Sequence, residues 1–161
     1  MSNLNDLQIG LQHYQAGDLE QATLWYQKVL LSEPSDPNAL HLLGLVKFQK
    51  KEWLEAIQLM EQAIQLEPEH SLFYNNLGNI YKEMRLFSKA LETYQKALQW
   101  DLNNAIAYYN MGCVYQEQEK FEQALTAYQT SLKLNPEYGL AYHNLGHLLY
   151  QLQHIEEAMV A

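Results

Sequence analysis

The chain has 161 residues, a net charge of -9 and 48% apolar residues, enough for one domain with a substantial core. The acidic balance argues against nucleic acids and anionic membranes as partners, because both call for a basic surface. Cys113 is the single cysteine, so no disulfide can form within the chain. Neither a signal peptide nor a run of roughly 20 apolar residues is present, which favours a cytoplasmic location.

A repeat of 34 residues runs through the whole sequence. One series consists of glycines: Gly10, Gly44, Gly78, Gly112 and Gly146. A second series consists of alanines in the same register: Ala22, Ala56, Ala90, Ala124 and Ala158. Two independent series with one period are hard to obtain by chance. They predict a single domain over 1–161, with repeats at 3–36, 37–70, 71–104, 105–138 and 139–161.

Each repeat is predicted to form two helices that pack as a hairpin. Apolar residues recur at spacings of three and four, as in Tyr74, Leu77 and Tyr81, which is the period of one helix face. A glycine inside a helix costs up to about 1 kcal/mol against alanine, so its recurrence indicates a close helix crossing. The small residues suit that crossing, and larger side chains four residues after the alanines can fill the wider gap. Those side chains are Tyr26, Met60, Tyr94 and Tyr128.

The ends of the helices are also signalled, in chain order. Gly17 can adopt the left-handed conformation in the first turn. Later repeats place non-glycine residues there, and we expect mild strain at each one that shares the backbone angles of Gly17. These residues are Lys51, Arg85, Glu119 and Gln153. Asp36 followed by Pro37 predicts a helix start, and Asn104 can cap a later helix. Because the fifth repeat stops at Ala161 inside its second helix, we expect the chain to be a fragment of a longer protein.

The pattern of each repeat resembles that of the tetratricopeptide-repeat family. The resemblance covers essentially the whole chain and is closest in repeats 3 and 4. It implies an all-α fold, a right-handed superhelical solenoid of antiparallel helix-turn-helix hairpins, with four full repeats and part of a fifth. Two departures stand out: Asp6 and Leu40 replace the first aromatic residue in repeats 1 and 2, and Leu102 replaces a proline.

The resemblance also implies a site. In this family the first helix of each repeat lines a concave groove in which a partner lies. The matching positions make up the predicted partner-binding groove: Asn75, Asn76, Asn79, Tyr109, Asn110, His143, Asn144 and His147. Three of them, Asn76, Asn110 and Asn144, precede their glycines by two residues. If they face solvent, as we expect of Asn76 and Asn110, this ladder can donate to and accept from a peptide backbone. The alternative is that asparagine is merely tolerated on an exposed helix face.

These residues predict a protein-binding module rather than an enzyme. The partner is expected to be a protein or peptide, with no nucleic acid, membrane, metal or cofactor. Repeats 1–3 look similar to those preceding bacterial glycosyltransferases of the O-linked N-acetylglucosamine transferase type. On that resemblance the groove presents acceptor proteins to a downstream transferase domain. The alternative function is a self-associating assembly scaffold, a homo-oligomer formed through the groove or the exposed terminal repeat.

No catalytic or metal centre is predicted. His143 and His147 are spaced as a two-histidine metal pair, but a zinc site needs three or four ligands and no others are evident. Cys113 lies at a groove position without a base specified by the sequence, so it is interpreted as a small packing residue.

Overall fold

The computed structural model describes the backbone of residues 2–160 and the side chains of residues 3–153. Within that range the chain is helical throughout and contains no strand, as predicted. The helices are α1 (Ser2–Gln15), α2 (Leu19–Ser32), α3 (Pro37–Gln49), α4 (Trp53–Leu66), α5 (Ser71–Glu83), α6 (Phe87–Trp100), α7 (Ala105–Glu117), α8 (Phe121–Leu134) and α9 (Gly139–Val160). The odd-numbered helices are the first helices of the five repeats, and the even-numbered helices are the second.

The helices stack in sequence as an all-α repeat solenoid. In the first four repeats, the first helix packs on the second helix of its own repeat, and each second helix packs on the first helix of the next repeat. First helices of neighbouring repeats also contact one another, whereas among the described residues second helices of different repeats do not. The first helices therefore lie closer together and form the inner, concave side of the solenoid.

The glycine series explains how closely the two helices of a hairpin approach. A Cβ atom added to Gly10, Gly78 or Gly112 would lie 2.4 to 2.6 Å from the ring of a tyrosine on the second helix. Gly44 is less tight, because its neighbour is the flexible end of Met60 at 3.1 Å. The rings of Tyr26, Tyr94 and Tyr128 are fully buried, as are Ala22, Ala56, Ala90 and Ala124. The predicted packing role is confirmed for these four alanines and for the first four glycines, whereas no described atom lies within 4 Å of a Cβ added at Gly146. Ala158 lies outside the described side chains and Ala161 outside the described backbone.

The turns inside the repeats share one backbone geometry. The N–H of Asp18 donates to the carbonyl of His13 at 2.9 Å, which closes the helix end in the six-residue pattern typical of a left-handed cap. Equivalent bonds close the next three hairpins. Gly17 has φ +79°, and three non-glycine residues share this region: Lys51 at 61°, Arg85 at 58° and Glu119 at 59°. The strain predicted at these three positions is confirmed, at about 1–2 kcal/mol each.

The fourth such position, Gln153, does not turn. It lies inside α9, which runs from Gly139 to Val160 as one helix, so it does not share the backbone angles on which the expected strain depends. A helical Gln153 avoids the unfavourable left-handed conformation.

Local sequence signals correctly predict where α3 and α7 begin. Asp36 Oδ1 accepts a hydrogen bond from the N–H of Ala39 at 2.8 Å, with Pro37 at the first helical position. Asn104 Oδ1 accepts from the N–H of Ala107 at 3.0 Å. Between residues 2 and 160 no helix has an apolar stretch long enough to cross a bilayer.

Candidate partner-binding groove

The concave face is formed by α1, α3, α5, α7 and α9, and all eight predicted groove residues lie on the last three of these helices. Their exposure differs widely. His143 and His147 are exposed, and Asn76, Asn79, Tyr109 and Asn144 are half-buried. Asn75 and Asn110 are buried, with only 2% and 6% of their surface exposed. The expectation that Asn110 faces solvent is therefore wrong.

The half-buried asparagines bond to the preceding first helix. Asn76 Nδ2 lies 2.7 Å from His41 Nε2, and Asn144 Nδ2 donates to the hydroxyl of Tyr109 at 3.2 Å. In both pairs the partners are 35 residues apart. Because the repeat has 34 residues, the partner of each asparagine lies in the previous repeat, one residue before the position equivalent to that asparagine. We call each such pair a rung.

A third rung in the middle of the solenoid has the same spacing, but no hydrogen bond joins Asn75 Oδ1 to Asn110 Nδ2. The spacing of 35 residues that joins the other two rungs also relates Asn75 on α5 to Asn110 on α7. Asn75 Oδ1 and Asn110 Nδ2 are both buried without a hydrogen-bond partner among the described atoms. This middle rung leaves one acceptor and one donor unsatisfied, which costs about 1–3 kcal/mol for each group.

The packing of neighbouring first helices explains why these asparagines are less exposed to solvent than expected. Each first helix lies against the next, and an asparagine two residues before the glycine points into that contact rather than only into the groove. Asn76 and Asn144 therefore hold repeats together, whereas Asn110 Nδ2 has no partner among the described atoms. The signal that could have revealed this role is the complementary residue 35 positions earlier, which carries a polar atom in all three cases: His41, Asn75 and Tyr109.

Burial changes the chemistry of the first rung. His41 is buried, and its ring lies 4.7 Å from that of Phe73, which stacks on His70 at 4.0 Å. Burial, and secondarily the nearby His70, lowers the pKa of His41 to about 4. His41 is therefore neutral at physiological pH. Because an amide nitrogen only donates, His41 Nε2 accepts from Asn76.

Two buried tyrosines of the second helices reach through the hairpins to groove residues. The Tyr94 hydroxyl donates to Asn79 Oδ1 at 2.7 Å, and the Tyr128 hydroxyl donates to Gln116 Oε1 at 2.8 Å. Burial raises the pKa of both hydroxyls, so both remain protonated donors. These bonds fix the side chains of Asn79 and Gln116 from beneath the groove surface.

Gln116, a further groove position of the fourth repeat, organises the groove at α9. Its Nε2 lies 3.2 Å from His147 Nδ1 and donates to Gln151 Oε1 at 3.0 Å. Held by Tyr128, this amide positions one of the two exposed histidines.

Cys113 is part of an aromatic cluster at the floor of the same region. Asn144 Nδ2 lies 3.4 Å from its Sγ, and the ring of Tyr109 packs edge-on against Tyr138 at 5.0 Å. Burial, followed by the influence of Cys113, raises the pKa of Tyr109. A half-buried thiol among tyrosines and an asparagine fits a packing residue. Among the described side chains no three His, Cys, Asp or Glu residues gather into a metal-binding group.

The groove positions of repeats 1 and 2 form an apolar stretch that is largely filled from within: Leu11, Tyr14, Leu45 and Phe48. Phe48 packs against Trp53 with ring centroids 5.6 Å apart, and Leu45 packs on the same core cluster. Tyr14 packs against the cluster around Tyr26. Only Leu11 of this stretch is exposed. The open part of the groove therefore lies on repeats 3 to 5.

Comparison with family models identifies the repeats. Models described as "Tetratricopeptide repeat" match residues 35–99, 105–138 and 140–161, and one described as "TPR repeat" matches residues 87–119. Together these matches extend from residue 35 to 138 and from 140 to 161. The chain therefore belongs to the tetratricopeptide-repeat family, whose repeats generally mediate protein–protein interaction and are typically non-catalytic. No curated protein sequence matches the chain.

Solved structures show the same fold. PilF of Pseudomonas aeruginosa is 25% identical with a TM-score of 0.87, covering 94% of this chain and 69% of that one. MamA is 25% identical with a TM-score of 0.76, over 94% of this chain and 88% of that one. A chain of the APC/C hetero-tetramer Cut9–Hcn1 is 26% identical with a TM-score of 0.83 over 91% of this chain. This chain spans only 30% of that last structure.

Proposed function

We propose that this chain binds a segment of another protein in the open groove formed by α5, α7 and α9. The observation that carries the proposal is the arrangement of the helices: first helices contact one another, so their exposed side chains converge on one concave face. His143 and His147 are exposed there, while the buried rungs beneath them keep the helices in register. A partner segment meets a preformed surface of imidazole and amide groups.

A peptide-display experiment tests this role with ligands of random sequence. Random peptides displayed on phage are selected on the folded chain, and the tightest is measured by calorimetry. The double variant His143→Ala and His147→Ala is expected to weaken binding about tenfold or more, because truncating a central contact costs above 1 kcal/mol. The matched control is Gln95→Ala with Gln129→Ala, two exposed positions on second helices. Equal affinity for the groove variant and the parent would contradict the proposal.

Self-association is a second candidate, favoured by the exposed apolar residues of α9. Tyr142, Leu149 and Tyr150 are exposed, although Ala141 and Leu148 on the same helix are fully buried. An apolar face of this kind can pack on a second copy. Light scattering over a dilution series is expected to show a dimer that the Tyr142→Ser and Leu149→Ser double variant loses. A parent chain that stays monomeric at every concentration would rule this candidate out.

Presentation of acceptor proteins to a transferase domain is a further proposal. It rests on the resemblance of repeats 1–3 to those preceding glycosyltransferases and on the same groove. A partner selected by the groove that is also a substrate of a transferase joined to this chain would support it.

A further inference from the structure

The two long edges of the solenoid differ in charge. We call the edge formed by the loops between repeats, 33–36, 67–70, 101–104 and 135–138, the loop edge. Its loops contain no lysine or arginine and six carboxylates: Glu33, Asp36, Glu67, Glu69, Asp101 and Glu137. The opposite turn edge is formed by the turns inside the repeats, 16–18, 50–52, 84–86 and 118–120. There Lys50, Lys51, Arg85 and Lys120 offset Asp18, Glu52 and Glu119.

The distribution of ion pairs increases the difference in charge between the two edges. On or beside the turn edge, Lys47 pairs with Glu52, Lys50 pairs with Glu20 at 2.7 Å, and Arg85 lies 3.7 Å from Glu117. None of the six loop-edge carboxylates forms an ion pair with a described side chain. Six carboxylates therefore lie along one edge without an ion-pair partner among the described side chains.

A row of apolar side chains follows the same edge. Leu72, Ile106 and Leu140 are the second residues of α5, α7 and α9 and are 46%, 48% and 58% exposed. They occupy one repeat position, so they form a row where the groove meets the loop edge. Further exposed apolar residues lie at the ends of the second helices and in the loops: Leu31, Leu66, Trp100 and Leu102. Apolar surface bordered by charge is typical of a docking surface.

We propose that the loop edge of repeats 3 to 5 docks a cationic amphipathic segment of a partner protein. Apolar side chains of that segment pack on Leu72, Ile106 and Leu140, and its lysines or arginines approach Glu67, Glu69, Asp101 and Glu137. Charge complementarity selects this occupant, because an acidic segment would be repelled. The inference rests on the proposed groove function and adds the chemistry of the partner. Exposed carboxylates contribute little singly, so several act together and binding weakens as salt rises.

A pair of synthetic peptides tests the charge requirement. One fluorescein-labelled peptide contains leucine, serine and lysine, and its counterpart has glutamate at every lysine. Fluorescence anisotropy is expected to show binding of the lysine peptide only, and its affinity should fall as salt is added. Failure of the lysine peptide to bind, or equal binding of the glutamate peptide, would overturn the inference.

A matched pair of charge variants locates the site. The loop-edge variant combines Glu67→Gln, Glu69→Gln, Asp101→Asn and Glu137→Gln, all at exposed positions. The control combines Glu20→Gln, Glu55→Gln, Glu119→Gln and Glu122→Gln, which change the net charge equally on the other side of the molecule. The loop-edge variant should weaken binding of the lysine peptide about tenfold, and the control less than about twofold. Equal losses in both would show diffuse attraction and refute the site.

The apolar row is tested in the same way. Leu72→Ser, Ile106→Ser and Leu140→Ser together should weaken binding about tenfold. The control Leu24→Ser, Leu54→Ser and Leu86→Ser changes equally exposed leucines elsewhere and should leave the affinity within about twofold. If the histidine variant loses affinity for the display-selected peptide while the loop-edge variant keeps its affinity for the lysine peptide, this inference is refuted and the groove function stands. If neither variant loses affinity for its peptide, the groove function is refuted as well.

Discussion

Helices α5 and α9 carry the same repeat pattern in different surroundings. On α5, an added Cβ at Gly78 would lie 2.4 Å from the ring of Tyr94, whereas no described atom lies within 4 Å of the same point at Gly146 on α9. Tyr74 is half-buried and donates to the carbonyl of Pro68, but its counterpart Tyr142 is exposed. A residue type that recurs every 34 positions therefore has no fixed energetic role. Its role depends on whether the neighbouring helices cover it.

The largest expected effect of covering a position concerns the unfolding free energy and two histidines at one repeat position. His41 on α3 is buried, and His143 on α9 is exposed. The pKa of His41 falls from 6.5 to about 4 on folding, so between these values the unfolded chain binds more protons. Its stabilising contribution is complete above pH 6.5 and is lost as the pH falls toward 4. The loss amounts to about 3 kcal/mol.

Urea unfolding between pH 4 and 7 measures this loss. His41→Gln removes the titrating ring while its carbonyl can still accept from Asn76, so the variant should show a shallower fall in unfolding free energy with decreasing pH. His143→Gln is the matched control at the uncovered position. The same pH dependence in parent and His41→Gln would mean that His41 is not neutral and buried as described.

Replacing a glycine of the series by alanine should change the stability of the chain in opposite directions at covered and uncovered positions. Gly78→Ala should destabilise the chain by about 1–3 kcal/mol, because its new methyl group overlaps the buried ring of Tyr94. Gly146→Ala should stabilise it by up to about 1 kcal/mol, since alanine favours the helix and meets no neighbour among the described atoms. Gly44→Ala should fall between them, because the end of Met60 can move. Equal signs for the first two, in denaturant midpoints, would remove the contrast between α5 and α9.

The sequence predicts most of the fold because its signals are local or strictly periodic. Asp36 and Pro37 start a helix by chemistry within a few residues, and the spacing of 34 identifies the close crossings at Gly10, Gly44, Gly78 and Gly112. Gln153 could not be predicted in this way, because it occupies the same repeat position as Lys51, Arg85 and Glu119 and yet is helical. In the groove, His143 and His147 are exposed as a concave-face position requires, but Asn110 is buried. Its burial depends on how successive first helices stack, which no signal within one repeat specifies.

The smallest expected effect on stability is at the rungs, where the comparison is between two covered positions. Asn76→Leu should destabilise the chain by about 1 kcal/mol or somewhat more, because it leaves His41 Nε2 buried without its donor. Asn110→Leu removes an amide nitrogen that has no partner among the described atoms, so it should be neutral or stabilising by up to about 1 kcal/mol. Both replacements are similar in volume and lie at the same repeat position, so helix propensity and side-chain size nearly cancel between them. Urea midpoints of the two variants at pH 7 measure the difference. An equal loss in both would show that Asn110 and Asn75 are hydrogen-bonded in solution, and that covered positions along the solenoid are satisfied alike.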